Sequence, residues 1–283
     1  MARVCVVGSV NMDLVFAVAA LPAPGATVLA SSMTRTPGGK GGNQAIAASR
    51  AGAEVVLVAA VGDDDTGAAL RTHLQSNDVD VSGVIALPVP SGTASIVVDA
   101  HAENVIVVAP GANGHLTLNS AALRELVAGC EVLLMQLEIP TGAALAAARI
   151  ARDAGATVML NASPAGADPD ALAQLAEVTD VVIVNESEAQ RWMWPVPHLV
   201  VTLGADGAVH RSADAETRVA APAVEAVDTT GAGDVFAGVL AAGWIADPAH
   251  ALRRACAAGA LATLVAGAGD CAPDDEAIDD ALN

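Results

Sequence analysis

Tyrosine is absent from this 283-residue chain, and phenylalanine occurs only twice. Packing must therefore rely on small and β-branched side chains, and Ala and Val supply much of the 53% hydrophobic content. Basic residues are also scarce, 13 Lys and Arg against 32 Asp and Glu, a net charge of −19. That balance excludes an ordinary nucleic-acid binder, which needs clustered cations for the phosphate backbone. Any phosphate this chain holds must be met by backbone amides, a helix dipole or metal ions. The four cysteines, Cys5, Cys130, Cys256 and Cys271, form no CxxC pair, which argues against a zinc site or a disulfide framework and for reduced thiols. No apolar run reaches the roughly 18 residues of a membrane span. The start MARVCVVGSVNMD turns polar too soon for a signal peptide and is expected to be a first strand. A cytoplasmic protein without membrane contact is expected.

Short Val-rich runs alternate with helical stretches over the rest of the chain. Val4–Val7, Val55–Ala60, Val132–Met135, Thr157–Leu160, Val181–Val184 and Leu199–Leu203 read as strands. Residues 42–52, 66–76, 141–154, 170–177, 232–245 and 249–266 read as helices, and the acidic tail DDEAIDDALN as a short terminal one. Unalternating apolar strands between helices predict an α/β fold, a mostly parallel sheet covered by helices on both faces. Residues 12–36 and 92–109 break the rhythm and read as extended strands, the second a hairpin turning near Ala102–Asn104. They predict a small β-sheet lid inserted into one α/β domain spanning residues 1–283. Its outer apolar face, including Val97, Ile106 and Val108, would need cover, so a homodimer through the lid is expected. Only 14 residues, Asn185 to His198, link two strands, room for one short helix near 186–193. The Trp192-Met193-Trp194-Pro195 cluster is expected to pack the end of that helix onto the body, with adenine stacking as a second reading.

The strongest chemical signal is DTTGAGDVFAG at 228–238. Gly231, Ala232 and Gly233 run directly into a helix, whose unpaired N–H groups and positive dipole end suit an anion. Asp234 sits on the first turn, either as a plain cap or as a base beside the anion cradle. GGKGGNQA at 38–45 is a second glycine loop opening a helix, with Lys40 and Asn43 as donors; a tight turn with a cap explains it equally well. It is not a Walker A loop, because Gly41 follows Lys40 where Ser or Thr would be needed. Asn11, Asp13 and Glu138 stand past strand ends, where ligands sit in open α/β sheets. Together they offer what a polyhydroxy ligand requires. Asn185 and Glu188 of NESE also follow a strand, Glu188 as a first-turn helix acid or an outer magnesium group. TLGADG at 202–207 is either a strand-to-strand turn or a further loop along a nucleotide.

Taken in order, GSVNMD, GGKGGNQA, MQLE, NESE, TLGADG and DTTGAGDVFAG resemble the ribokinase branch of the PfkB carbohydrate kinases over nearly the whole chain. The resemblance implies a ribokinase-like fold and an ATP-dependent kinase acting on the 5-hydroxyl of D-ribose. It implies that Asn11, Asp13, Gly39, Lys40, Asn43 and Glu138 hold the sugar, with Asp234 as catalytic base contacting it. Gly231, Ala232 and Gly233 would form the anion hole. Asn185, the loop Thr202, Leu203, Gly204, Ala205, Asp206 and Gly207, with Gly233 and Cys256, would line the ATP site. Glu188 would meet Mg²⁺ through water, and K⁺ would sit among Asp228, Thr230, Ala262, Val265, Gly267 and Cys271, mostly on carbonyls.

Three positions depart from the family pattern. Cys256 stands where an Asn often lies beside adenine, Cys271 replaces a Ser near the cation, and the 188–199 segment is short. Stereochemistry cannot be read from polar residues. A kinase for another small sugar or a nucleoside, or a catalytically weak sugar-binding relative, therefore stays open at this stage.

Overall fold

The strand RVCVV explains the architecture in miniature. In a computed structural model of the protein, which describes all residues except 102, 167, 269 and 283, Val4 and Val6 enter one buried cluster. Cys5 and Val7 enter a second on the opposite face of the sheet. Val132 and Leu134 alternate with Leu133 and Met135 in the same way, as do Val181 and Ile183 with Val182 and Val184. A strand with successive side chains buried on both faces needs apolar residues throughout, which is why these runs show no alternation.

The strands are β1 (Arg3–Val7), β2 (Asn11–Ala17), β3 (Ser32–Gly38), β4 (Glu54–Gly62), β5 (Val79–Leu87), β6 (Gly92–Val98) and β7 (Asn104–Ala109), followed by β8 (Val132–Met135), β9 (Thr157–Asn161), β10 (Val181–Asn185), β11 (His198–Thr202), β12 (Ala208–Ser212) and β13 (Glu216–Val219). The helices are α1 (Lys40–Arg50), α2 (Asp65–Ser76), α3 (Ala121–Ala128), α4 (Thr141–Asp153), α5 (Pro169–Glu177), α6 (Glu186–Ala189), α7 (Ala232–Gly243), α8 (Pro248–Ala262) and α9 (Asp275–Asp280). The large sheet runs β13-β12-β11-β10-β9-β8-β1-β4-β5. It is parallel from β5 to β11, and β12 and β13 add an antiparallel edge. Helices α1, α7 and α8 cover one face and α3, α4 and α5 the other, through Ala-rich surfaces. No helix of the described residues is long and apolar enough to cross a membrane.

The expected α/β sheet with helices on both faces is thus present. β5, β12 and β13 were not foreseen, because DVDVSGVIAL and the polar edge segments lack a continuous apolar run. The link from β10 to β11 holds less helix than expected, only the four residues of α6. Beyond α6, the Trp192 and Trp194 rings meet edge-on with centroids 5.2 Å apart, and Trp192 packs on the second core cluster. Neither ring lines the large cavity described below. The stacking reading is set aside in favour of packing.

The two expected lid segments form a four-stranded sheet in the order β3-β2-β6-β7. Ala102, in the expected hairpin turn, lies outside the described residues; beside it the Asp99 amide donates to the Glu103 carbonyl at 3.0 Å. Asp13 pairs with Ala94, Val15 with Ile96, Ile96 with Ile106 and Ala94 with Val108. Ile106 and Val108 therefore share the face that carries Asp13. Val97 pairs with Phe16 and Val105 on the other face. The expected grouping of Val97 with Ile106 and Val108 is corrected by one residue of register, since side chains alternate across a strand. Both faces of β7 are apolar, and Val105, Ile106, Val107 and Val108 are all exposed.

Candidate active site

Two glycines open the two helices that build the site. Gly39, at φ +89, leads into α1, and Gly231, at φ +81, leads into α7. Both lie in the left-handed region, where a side chain would strain the turn. The helices cross closely at Gly238, where a β-carbon would overlap the Gln44 carbonyl and come within 2.8 Å of the Ala47 Cβ. Both N-termini are thereby brought to the same point at the carboxyl ends of the central strands.

Asp234, one turn above Gly238, is 7% exposed and is held by residues of the GGKGGNQA segment. Asn43 Nδ2 donates to its Oδ2 at 3.0 Å, and Gln44 Nε2 to its Oδ1 at 2.9 Å. Lys40 Nζ lies 3.9 Å from Oδ1. The charge of Asp234 raises the Lys40 pKa against the opposing effect of burial, and Glu138 and Glu188 add to it. Lys40 therefore stays charged at the centre of an acidic cluster. Within α7 the first intrahelical donor is Val235, to Gly231 O at 2.9 Å, while Ala232 N turns back to Thr229 O at 3.3 Å. The Gly233 and Asp234 N–H groups are the next orphan donors of the helix start. The space where a Gly233 side chain would stand is open.

On the lid side, Asn11 and Asp13 begin β2 and are buried, 2% and 8% exposed. Asn113 orients Asn11, donating Nδ2 to its Oδ1 at 2.8 Å and accepting the Val10 amide at 2.9 Å. Ser9 Oγ donates to Glu138 Oε2 at 2.5 Å, and the Lys40 amide donates to the same oxygen at 3.3 Å. Burial raises the Asp13 pKa to about 7, helped by the negative charges of Glu138 and Asp234. Asn11, Asp13, Gly39, Lys40, Asn43, Glu138 and Asp234 thus converge as expected. Ser9, Gln44, Asn113, Gln136 and Asn161 belong to the same polar cluster and were not foreseen. Single polar residues beside apolar runs carry no sequence signal of their own.

A cavity of about 770 Å³ opens on the other side of the α7 N-terminus. Asn185, Thr202, Gly204, Ala205, Gly207, Gly233 and Cys256 line it, as expected. Leu203 and Asp206 do not. Leu203 packs into the second core cluster, and Asp206 faces Arg218 at 3.9 Å on the surface. TLGADG turns out to be both things considered for it, the turn between β11 and β12 and a wall of the cavity. The unforeseen wall is the irregular stretch after β13, including Ala221, Pro222, Ala223 and Val224.

Residues 1–275 match the pfkB family carbohydrate kinase pattern. The chain belongs to this family. Ribokinase of Mus musculus is 35% identical over 265 residues, covering 85% of this chain and 81% of that one. Ribokinase of Bacillus subtilis is 36% identical over 252 residues, 83% of each chain. A solved structure of Arabidopsis thaliana ribokinase, complexed with ribose and ATP, superposes with a TM-score of 0.89 at 26% identity, covering 100% of this chain and 99% of that one.

Burial pushes the Cys256 thiol up to about 12, so it is neutral, and its Sγ is directed at Val219 O, 3.8 Å away. Glu188 closes a capping box on α6, accepting the Asn185 amide at 2.9 Å while Asn185 Oδ1 accepts the Glu188 amide at 2.9 Å. Its negative charge is also among those that raise the Lys40 pKa. The segments 228–231 and 262–271 do meet. Asp228 Oδ2 accepts the Gly267 amide at 2.9 Å, Cys271 Sγ lies 3.9 Å from Thr230 O, and Ala268 packs on Gly231. Burial raises Asp228, yet the Thr230 hydroxyl with the Gly267 and Thr230 amides outweighs it and holds the carboxyl low. Gly269, within this segment, lies outside the described residues.

Asp13 makes the site a source of instability that depends on pH. Folded Asp13 keeps its proton up to about pH 7, whereas the unfolded side chain releases it near 3.8. The folded state binds more protons in that window, so stability falls as pH rises through it. Asp13→Asn removes the effect. Thermal unfolding from pH 4 to 8 should show the variant matching the parent at the acid end and gaining on it steadily up to pH 7. A constant offset across the range would refute this.

Proposed function

We propose that the chain is an ATP-dependent ribose kinase that transfers the γ-phosphoryl group of ATP to the ribose 5-hydroxyl, with Asp234 as base. The observation that carries the reading is one buried carboxylate at the start of α7, between a lid-covered polar cluster and a cavity of nucleotide size. The ribokinase names of the mouse and Bacillus relatives, and the ribose and ATP in the Arabidopsis complex, support the same substrates. Asn11, Asp13, Gly39, Lys40, Asn43 and Glu138 would hold the sugar hydroxyls. Asp234 takes the 5-hydroxyl proton while the sugar oxygen bonds to the γ-phosphorus and the bond to the bridging oxygen breaks, releasing ADP. Charge on the transferring group meets the amides around Gly231, Ala232 and Gly233, and the α7 dipole.

Asp234→Asn keeps the shape and one of the two accepted amide bonds, sets its NH2 against the other donor, and removes the proton acceptor. We expect ribose-dependent ATP turnover to fall about a hundredfold or more, while ribose binding, read by calorimetry, persists. Turnover within a few-fold of the parent would reduce Asp234 to a helix cap.

Two cations, Mg²⁺ and K⁺, are part of this reading. Mg²⁺, when bound, would neutralise phosphate oxygens, and Glu188 is the carboxylate with an oxygen left over from its capping contact. K⁺ would sit between the segments 228–230 and 262–271, on carbonyls of Thr230, Ala262, Val265, Gly267 and Cys271 with Asp228 nearby. Carbonyls at the end of α8 carry partial negative charge, and the Asp228 carboxylate is already ionised there. Cys271 offers a neutral thiol, its pKa pushed up to about 11 by burial, where a hydroxyl would serve better. Stepwise replacement of tetramethylammonium by potassium at fixed ionic strength should raise turnover, with half-activation at lower potassium in Cys271→Ser. Flat activity in both proteins would remove the site.

A homodimer through the lid follows from the exposed apolar edge strand β7, NVIVVA, which carries no charge to discourage pairing. Light scattering at micromolar concentration should give twice the chain mass, and Ile106→Asp should halve it. A monomeric parent would count against the assembly. A cytoplasmic location is part of the proposal, supported by four buried free thiols.

A further inference from the structure

Behind the base lies a chain of buried amides that the proposed reaction does not use directly. Gln44 and Gln136 are fully buried, and Asn161 is 8% exposed. Asn161 Nδ2 donates to Ile183 O at 3.2 Å, which turns its Oδ1 toward Gln44. Gln136 Nε2 donates to Gln44 Oε1 at 2.6 Å, which fixes the Gln44 amide the other way round. The two protons of Gln44 Nε2 are then committed, one to Asn161 Oδ1 at 3.1 Å and one to Asp234 Oδ1 at 2.9 Å. Flipping the Gln44 amide would set its oxygen against two other oxygens, so the polarity of the relay has one solution.

We infer that Gln44 is a positioning residue that, with Lys40, occupies Asp234 Oδ1 and so leaves Oδ2 to receive the hydroxyl proton. The two carboxylate oxygens are not equivalent here. Oδ1 faces Gln44 Nε2 and Lys40 Nζ, whereas Oδ2 accepts Asn43 Nδ2 at 3.0 Å among the described residues and keeps a lone pair. Without the Gln44 donor the carboxylate can rotate, and a group misplaced by about 1 Å can cost about a hundredfold in rate. Gln44 is fully buried with its side-chain amide committed to Asp234, Asn161 and Gln136, so it meets no sugar hydroxyl, and its loss should fall on kcat and leave the ribose KM alone.

The inference rests on Asp234 as base, and the experiment separates the two. Gln44→Leu should lower kcat about a hundredfold with the ribose KM within a few-fold. Gln44→Glu is isosteric and can donate to Asp234 only when protonated. Its turnover should therefore be confined to the acid side of the pH profile, a limit the parent amide does not share. If Gln44→Leu fails to fold, because it strands three buried partners, the Gln44→Glu profile decides alone. A Gln44→Glu profile of the parental shape, or kcat and KM changing together in Gln44→Leu, would overturn the positioning role. An inactive Asp234→Asn beside a Gln44→Leu variant of near-parental kcat would overturn it too while sparing the base. An active Asp234→Asn would overturn both.

Discussion

The site depends on one backbone contact, Gly238 of α7 against the Gln44 carbonyl of α1. Only glycine permits it, and Ala47 opposite is small enough to let the helices close. Once they touch there, the starts of both helices lie side by side. Asn43 and Gln44 reach Asp234, and Lys40 stands over it. The shortage of aromatic rings and the abundance of Ala and Gly are therefore part of how the site is assembled, since bulkier helix faces would hold the two N-termini apart.

Charge is the second constraint. Asp13, Glu138 and Asp234 share a small buried region in a chain of net charge −19, with the Lys40 ammonium among them. The protein tolerates this by letting Asp13 keep its proton to about pH 7 and by giving Asp234 neutral amide donors as well as the lysine. Helix N-termini add positive potential without adding net charge, which is how an acidic chain can receive phosphate groups. The region is built for ligands, and some stability is given up to keep it so.

Much of this was legible in the chain itself, because glycine loops at strand ends have few other uses in combination. DTTGAGD and GGKGGNQ each announce a helix start with unusual backbone, and both begin helices in the structure. Gln136 and Asn161 were not legible, since one polar residue at the end of an apolar run looks like an ordinary strand terminus. The face of Ile106 and Val108 was misjudged for a related reason. A hairpin read from composition carries no register, and a slip of one residue moves a side chain to the opposite face. The edge strands β12 and β13 escaped because half-exposed antiparallel strands need no apolar run.

By itself the sequence determined the fold class, the order of the strand-end motifs and the identity of the carboxylate at the start of α7. Those are local matters of periodicity, glycine conformation and residue chemistry. The tertiary structure decided which amide serves which oxygen. Gln44 and Asp234 are 190 positions apart, and Ser9 and Glu138 are 129 apart. Nothing in local propensity relates such positions. Their distances follow from how closely two helices pack and which strands lie adjacent in the sheet, and a hydrogen bond is decided by a few tenths of an ångström.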